Sequence, residues 1–165
     1  MKKFILIAPL IFYFLITGFD TEPAYYEYEP IFMERSEMEA SLKLEAPRPV
    51  QNPGKIYLKD NYIFINEKYR GIHLIDNSNP EEPDNFAFIH IDGCIDMAVN
   101  GNVLYADNAV DLVAISLNSE LTGIEVSSRI KNVFPEPVSP DGRELSYYEN
   151  AARPENTILV RWRKK

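Results

Sequence analysis

The feature that most constrains the fold is a repeated order of strands and turns with a period of about 40 residues. Asn61 matches Asn102 at an offset of 41 residues, and residues 72–75 match residues 112–115 at an offset of 40. Alternating apolar residues, rich in β-branched and aromatic side chains, predict four strands in each copy. The predicted strands span residues 56–59, 62–65, 72–75 and 86–91, and then 95–99, 103–106, 112–115 and 124–130. Four strands in each period are typical of a β-propeller blade.

The fold class predicted from this pattern is all-β, with antiparallel four-stranded blade repeats that form a partial β-propeller. The two blades span residues 55–93 and 94–134, and a short N-terminal helix and an extended acidic tether precede them. Residues 135–165 are predicted to hold a Pro-rich loop and a C-terminal strand at the start of a further blade. Because two blades cannot close a ring, we expect a truncated chain, with a fragment or completion by association as the alternatives.

The N-terminus has the layout of a secretory signal peptide. Lys2 and Lys3 precede an apolar run over residues 4–16, which is short for a bilayer-spanning helix. Residues 16–18 are acceptable before a signal-peptidase cut, so we predict a signal peptide over residues 1–18. The alternative is a buried N-terminal strand or helix.

An acidic segment rich in tyrosine and proline follows over residues 19–54. Up to residue 45 it holds eight acidic residues and two basic ones, and like charges and prolines oppose compact structure. Residues 19–33 are therefore predicted to be an extended tether, with a cation- or sugar-binding strip as the alternative. Ser36 and Glu39 have the spacing of a capping box, which predicts a short helix over about residues 37–44.

The composition limits the partners and cofactors. The 165 residues are 45% hydrophobic, which rules out a fully disordered chain, and the net charge of −8 argues against nucleic acid as the main partner. The single cysteine, Cys94, cannot form an internal disulfide, and its neighbours Asp92 and Asp96 favour inert packing over a reactive thiol. The sequence has neither a glycine-rich phosphate loop nor a dinucleotide fingerprint, and we predict no cofactor.

Short motifs in the third predicted strands point to a family. Residues 72–76, Ile-His-Leu-Ile-Asp, and the Ser-Asn-Pro at residues 78–80 resemble the LVIVD repeat of exported bacterial propeller-like proteins. A poorer copy lies at residues 112–116, where Ala and Ser replace Ile and Asp. Residues 52–57 and 110–113 are also similar to lipoprotein members of that family.

The resemblance extends over roughly residues 31–165, and residues 16–18 look like the end of a lipobox. Phe19 stands where the lipid-bearing cysteine would be, so no lipid anchor follows from this sequence. The resemblance implies a propeller-like fold and an exported protein located in the periplasm, in the outer membrane or at the cell surface. It implies no particular activity, since the biochemical role of the family is largely uncharacterised.

The candidate ligand-binding side chains are acids near the blade ends and the two histidines of the chain. Carboxylates there could act as acid and base or bind calcium, whereas aspartates in turns commonly cap free backbone amides. We predict neither a catalytic nor a metal site, because no nucleophile elbow and no His-Glu-x-x-His pattern occurs. The candidates are Asp92, Asp96, Asp107, Asp111, His73 and His90.

Aromatic side chains are numerous enough to line a sugar- or peptide-binding face, although aromatic residues in strands commonly form the core or cross-strand pairs. These residues are Tyr57, Tyr62, Phe64, Tyr69, Phe86 and Phe88.

The sequence favours an exported, non-catalytic envelope or cell-surface protein that acts as a binding or scaffold module. Its expected partner is another protein or a surface polysaccharide, with membrane contact only through an uncleaved signal segment. One alternative is an extracytoplasmic hydrolase, which requires Asp92, Asp96 or Asp107 to converge with a histidine in one pocket. Another is a degenerate, truncated paralogue, because the lipobox cysteine and further blades are missing.

Overall fold

A computed structural model describes residues 26–165 of the chain. The predicted signal peptide over residues 1–18 and the tether up to residue 25 lie outside the described residues. Strands make up 49% of the described residues and helices 8%, and every strand pair is antiparallel. The prediction of an antiparallel, all-β class is therefore confirmed.

The chain forms eleven strands and two short helices within the described residues. The strands are β1 Tyr28–Glu34, β2 Lys43–Glu45, β3 Pro53–Lys59, β4 Tyr62–Glu67, β5 Gly71–Asp76, β6 Asp84–His90, β7 Met97–Asn100, β8 Val103–Asn108, β9 Asp111–Leu117, β10 Ile124–Ile130 and β11 Thr157–Lys164. The helices are α1 Arg35–Ala40 and α2 Tyr147–Ala151. The eight strands predicted from the repeat correspond to β3–β10, with boundaries that agree within three residues.

The first sheet has the strand order β2-β6-β5-β4-β3. Strands β3 to β6 follow one another as an antiparallel meander, and β2 adds a short edge strand beside β6. Gly71 opens β5 with φ +140°, and a Cβ built on it would lie 1.9 Å from the carbonyl oxygen of Ile89. Only glycine fits there, because β6 passes too close for any side chain.

The second sheet has the strand order β10-β9-β8-β7 and is a meander of the same kind. The predicted Asn-Gly turn joins β7 to β8, and Gly101 there has φ +57°. A bulge between Val126 and Ser128 interrupts the pairing of β10 with β9.

The main core lies between these two sheets. The front face of the first sheet, which points toward the second sheet, carries Phe64, Leu74 and Ala87, and these residues are neighbours across β4, β5 and β6. They share one buried cluster with Leu104 and Ile115, which lie on the back face of the second sheet, the face that points toward the first sheet. The remaining two faces, the back of the first sheet and the front of the second, point outward.

A third sheet of two strands pairs β1 with β11. Its buried side chains form a second core with the β8–β9 turn and α1, through Met38, Val110 and Val160. The predicted tether over residues 19–33 differs from the structure from Tyr28 onward, where the chain is a paired strand. The strand packs Ile31 and Met33 against the second core. Exposed salt bridges of 2.6 Å from Glu27 and Glu29 to the basic C-terminal strand offset its negative charge.

The predicted C-terminal strand is present as β11, and its assignment to the start of a further blade stays a prediction. The residues predicted to form the C-terminal strand, 157–160, lie within β11, which pairs with β1 and with no strand of the first or second sheet. An acidic strand and a basic strand from opposite ends of the described chain thus close a sheet that the repeat does not contain.

The helices also depart from the sequence-based expectation. The helix predicted over residues 37–44 is α1, which ends at Ala40, after which β2 begins at Lys43. The predicted capping box is wrong, since Ser36 contacts Glu34 and the carboxylate of Glu39 binds Arg35 and Lys131 instead of the helix N-terminus. Among the described residues, neither helix has the length and apolar character needed to cross a membrane.

Candidate functional site

An open apolar cleft of about 660 Å³ lies on the front face of the second sheet. Strands β7, β8 and β9 form its floor, and residues 134–138 form one wall. Its lining is apolar and aromatic for the most part, with three acidic residues. The lining side chains are Tyr69, Ile95, Asp96, Met97, Ala98, Tyr105, Asp107, Ala109, Leu112, Phe134, Pro135, Glu136, Pro137 and Val138.

Two sets of hydrogen bonds hold the wall of the cleft in place. The backbone amides of Val133 and Phe134 both donate to the carbonyl of Val110, at 2.8 and 2.9 Å. At the other end, the indole nitrogen of Trp162 donates to the carbonyl of Pro137 at 2.8 Å. The wall is thus tied both to the second sheet and to β11, and its prolines hold it in an extended form.

Asp107 lies in the cleft at the end of β8. Its carboxylate accepts hydrogen bonds from the backbone amides of Ile95 and Asp96, at 2.8 to 3.0 Å. Burial raises the pKa of Asp107, and these hydrogen bonds only partly oppose that shift. This carboxylate therefore caps the loop before β7, as expected for an aspartate in a turn.

Asp96 lies beside Asp107 on the rim of the cleft. Its carboxylate is 2.5 Å from the ammonium nitrogen of Lys55 on the first sheet. The hydrogen bond from Lys55 lowers the pKa of Asp96, whose side chain is 55% exposed. The pair links the edges of the two sheets, together with a hydrogen bond of 2.9 Å from the Tyr57 hydroxyl to the carbonyl of Val99.

His90 and Asp92 form a second polar pair, away from the residues that line the cleft. The Nε2 atom of His90 lies 3.0 Å from Oδ2 of Asp92, and its Nδ1 atom lies 3.8 Å from the carboxylate of Glu45. Burial opposes ionisation of Asp92, but the hydrogen bond and the charge of His90 outweigh it and lower the pKa of this carboxyl. The pair joins β6 to the loop that leads to the second sheet.

His73 is fully buried on β5 and packs its ring edge against Phe88. Its Nε2 atom lies 3.2 Å from Oε2 of Glu67. The same carboxylate accepts hydrogen bonds from the backbone amides of Gln51 and Asn52, at 3.0 and 2.7 Å. Glu67 therefore fastens the segment before β3 to the first sheet, and His73 supports this carboxylate.

Asp111 belongs to a separate cluster under α1. It is fully buried, and its oxygens lie 2.9 to 3.1 Å from Arg35 and 3.0 Å from Arg129. The backbone amide of Asn132 also donates to it, at 3.0 Å. Burial opposes ionisation, but these hydrogen bonds prevail and lower the pKa of Asp111.

The structure thus divides the six candidate residues into four places. Asp96 and Asp107 meet at the cleft, His90 meets Asp92, and the other two lie in separate buried clusters. No histidine is among the described residues that line the cleft. Within residues 26–165, no three potential metal-ligating acids, histidines or cysteines come together.

Most residues of the cleft are not among the candidates predicted from the sequence. Of the aromatic residues considered for a binding face, Tyr69 lines the cleft, whereas Phe64 and Phe88 are fully buried. Tyr105 and Phe134, 38% exposed in each case, were not among them. The signal available was the run at 133–138, Val-Phe-Pro-Glu-Pro-Val, in which apolar residues flank two prolines shortly after a strand.

The chain was compared with known proteins in three ways. No family model matches it, and neither a curated protein nor a solved structure does so.

Proposed function

We propose that this protein is an exported, non-catalytic binding or scaffold module built from two propeller-type blades, which holds another macromolecule at the cleft of the second sheet. The observation that carries the proposal is the open apolar cleft on the front of that sheet. Open clefts with a mostly apolar lining typically mark binding sites.

The equivalence of the two sheets supports the blade assignment. At the offset of 41 residues, Tyr57 corresponds to Ala98 and Phe64 to Tyr105, and both members of each pair lie on the front face of their sheet. At the offset of 40, Leu74 corresponds to Ala114, again on the front. In a propeller, successive blades share their sequence repeat, their strand order and the direction in which each face points.

The chemistry of the lining supports binding of an apolar surface. Each acidic side chain at the cleft already has a partner: Asp107 binds backbone amides, Asp96 binds Lys55, and Glu136 lies 2.7 Å from Arg153. The exposed groups left for a ligand are mostly apolar side chains, including Phe134. A protein surface with apolar side chains suits such a lining better than a small charged substrate does.

Export is supported by the basic and apolar N-terminus and by the resemblance to the LVIVD repeat. The proposed location is outside the cytoplasm, in the periplasm, in the outer membrane or at the cell surface. The first test is the intact mass of the protein recovered from the cells that make it. A mass equal to that of residues 19–165 supports export with cleavage after residue 18, whereas a mass that retains residues 1–18 contradicts the processed form.

The second test measures saturable binding of the purified protein to envelope fractions of the same cells. The variant Ala98→Trp fills the cleft and is expected to reduce binding at least about tenfold, because it removes the space for an apolar group. Glu125→Trp is the matched control, since Glu125 is exposed on β10 of the same sheet but does not line the cleft. Equal binding by both variants would contradict the proposal.

A further inference from the structure

The back face of the first sheet exposes a row of large aliphatic side chains. Ile56 is 63% exposed and Leu58 is 69% exposed on β3, and Ile63, Ile65 and Ile75 beside them are half-buried. The register places all five on one face, since Ile56 pairs with Ile65, and Leu58 with Ile63, which in turn pairs with Ile75. A contiguous apolar face of this kind is unusual on a monomer.

The equivalent positions in the second sheet indicate which kind of surface fits this apolar back face. At an offset of 41 residues, Ile56 corresponds to Met97 and Leu58 to Val99, which are both 8% exposed. The equivalents of Ile63, Ile65 and Ile75 are buried too. They are Leu104, Ala106 and Ile115, none of them more than 2% exposed. The same positions are therefore covered in the second sheet and open in the first.

The covering surface in the second case is the front face of a sheet of the same repeat. Phe64, Ile72 and Leu74 of the first sheet share the buried cluster with the back of the second sheet. The corresponding front positions of the second sheet are occupied by Tyr105, Leu112 and Ala114, of which the first two line the cleft. One molecule thus presents an uncovered back face and an incompletely covered front face that match each other.

The charges at the edges of the sheets support the same pairing. Within one chain, Lys55 of the first sheet forms a salt bridge with Asp96 of the second. These two residues are themselves equivalent at the offset of 41 residues. A repetition of the contact between chains would place Asp96 of one copy opposite Lys55 of the next, which is again an attractive pair.

We propose that the partner at the cleft is a second copy of this chain, whose first sheet packs its back face on the front of the second sheet. This inference rests on the proposed function, since it names the macromolecule that the cleft accepts. Residues 134–138 cover only part of that front face within one chain, so the rest of the face is open to the incoming sheet. The contact is head-to-tail, so its repetition builds a ring or an open filament. A ring of four to eight blades corresponds to about two to four copies.

The experiment is sedimentation velocity of the protein as recovered from its cells, and of two single variants, at micromolar concentrations. The wild type is expected to sediment as a multimer. Leu58→Lys on the back face and Ala98→Lys in the cleft are each expected to weaken self-association at least about 100-fold, because each buries an unpaired charge in the contact. Both positions are exposed, so neither change disturbs the core.

An equimolar mixture of the two variants distinguishes head-to-tail packing from a symmetric dimer. Leu58→Lys keeps an intact cleft and Ala98→Lys keeps an intact back face, so the mixture is expected to form one heterodimer and no larger species. Tyr148→Lys is the matched control, because Tyr148 is 82% exposed and lies on neither face. Its assembly is expected to equal that of the wild type.

Three results would overturn the inference: a monomeric wild type, a mixture that stays monomeric, or an Ala98→Lys variant that assembles like the wild type. The proposed function fails separately. A monomer whose envelope binding still depends on Ala98 would overturn the second-copy partner alone. A multimer that binds the envelope equally with and without Ala98→Trp would overturn the proposed envelope-binding role alone.

Discussion

One guanidinium nitrogen of Arg35 donates hydrogen bonds to both carboxylate oxygens of Asp111, at 2.9 and 3.1 Å. The contact connects α1 to the start of β9, next to the β8–β9 turn. The contact joins residues 76 positions apart in sequence. Asp111 is fully buried and also binds Arg129, so two guanidinium groups share this one carboxylate at the junction of the main core and the second core.

Asp111→Asn is expected to destabilise the fold by about 3 kcal/mol, because it removes the buried negative charge that Arg35 and Arg129 share. The measurement is the urea midpoint and slope of unfolding, followed by tryptophan fluorescence. Asp60→Asn is the control, since Asp60 forms an exposed salt bridge with Lys59, with 75% of its side chain accessible. A change below about 0.5 kcal/mol is expected there. Equal losses for the two variants would contradict the structural role given to Asp111.

Glu67 makes the stability of the first sheet depend on pH. Burial opposes its ionisation, but the hydrogen bonds from Gln51, Asn52 and His73 prevail and lower its pKa below the ordinary 4.5. A lowered pKa in the folded state stabilises the protein above pH 4.5, and this stabilisation is lost as the pH falls through the folded-state value.

Glu67→Gln is therefore expected to cost about 2 kcal/mol at pH 7 and less at pH 3, because below pH 4.5 the unfolded wild type takes up a proton on Glu67 and part of the stabilisation by the ionised carboxylate is lost. The measurement is the free energy of unfolding in urea at both pH values. Glu82→Gln on an exposed loop is the control, with a change within about 0.5 kcal/mol at either pH. A difference between Glu67→Gln and wild type that stays constant with pH would refute this assignment.

Alanine substitutions at Gly71 and Gly101 distinguish the stability cost of steric crowding from the cost of backbone strain. Both have positive φ, but only at Gly71 does an added Cβ meet a backbone atom, the Ile89 carbonyl oxygen at 1.9 Å. Gly71→Ala is expected to cost about 3 kcal/mol or more, and Gly101→Ala about 1 kcal/mol. Thermal and urea unfolding of the two variants measure this difference. Similar losses of stability at both positions would contradict the close packing of β5 against β6 at Gly71.

Cys94 is expected to be unreactive while the protein is folded. The thiol is fully buried, and burial together with the nearby Asp107 carboxylate raises its pKa well above the ordinary value. Modification by a thiol-specific disulfide reagent is expected to be at least about 1,000-fold slower in buffer than in urea, because it requires opening of the core. Rapid modification under native conditions would instead place this thiol at an accessible surface.

The two meanders are predictable from sequence because their determinants are local. Alternation of apolar residues identifies the strands, and Asn100-Gly101 specifies a turn that matches the twist of the strands it joins. The terminal sheet is not predictable in this way. Acids such as Glu29 repel one another in isolation, and their partners, Arg163 among them, lie more than 100 residues further along the chain.

The candidate site was predictable only in part, for a related reason. Aspartates near strand ends were identifiable, and Asp107 does lie at the cleft, but its role there is to cap backbone amides. The cleft itself depends on where residues 134–138 cross the second sheet. That path is fixed by the hydrogen bonds of Val110 and Trp162 with this segment, which no short-range pattern encodes.

The pairing of β1 with β11 has a consequence for the timing of folding. Tyr28 lies opposite Lys164, so this sheet cannot form until synthesis has passed residue 164. The two meanders pair only neighbouring strands and can form earlier. Pairing of β1 with β11 is slower, because it brings together two strands separated by more than 100 residues. The second core around Met38 therefore stays incomplete until β11 has been made, so its apolar side chains are exposed to solvent and to other chains for longer than those of the main core.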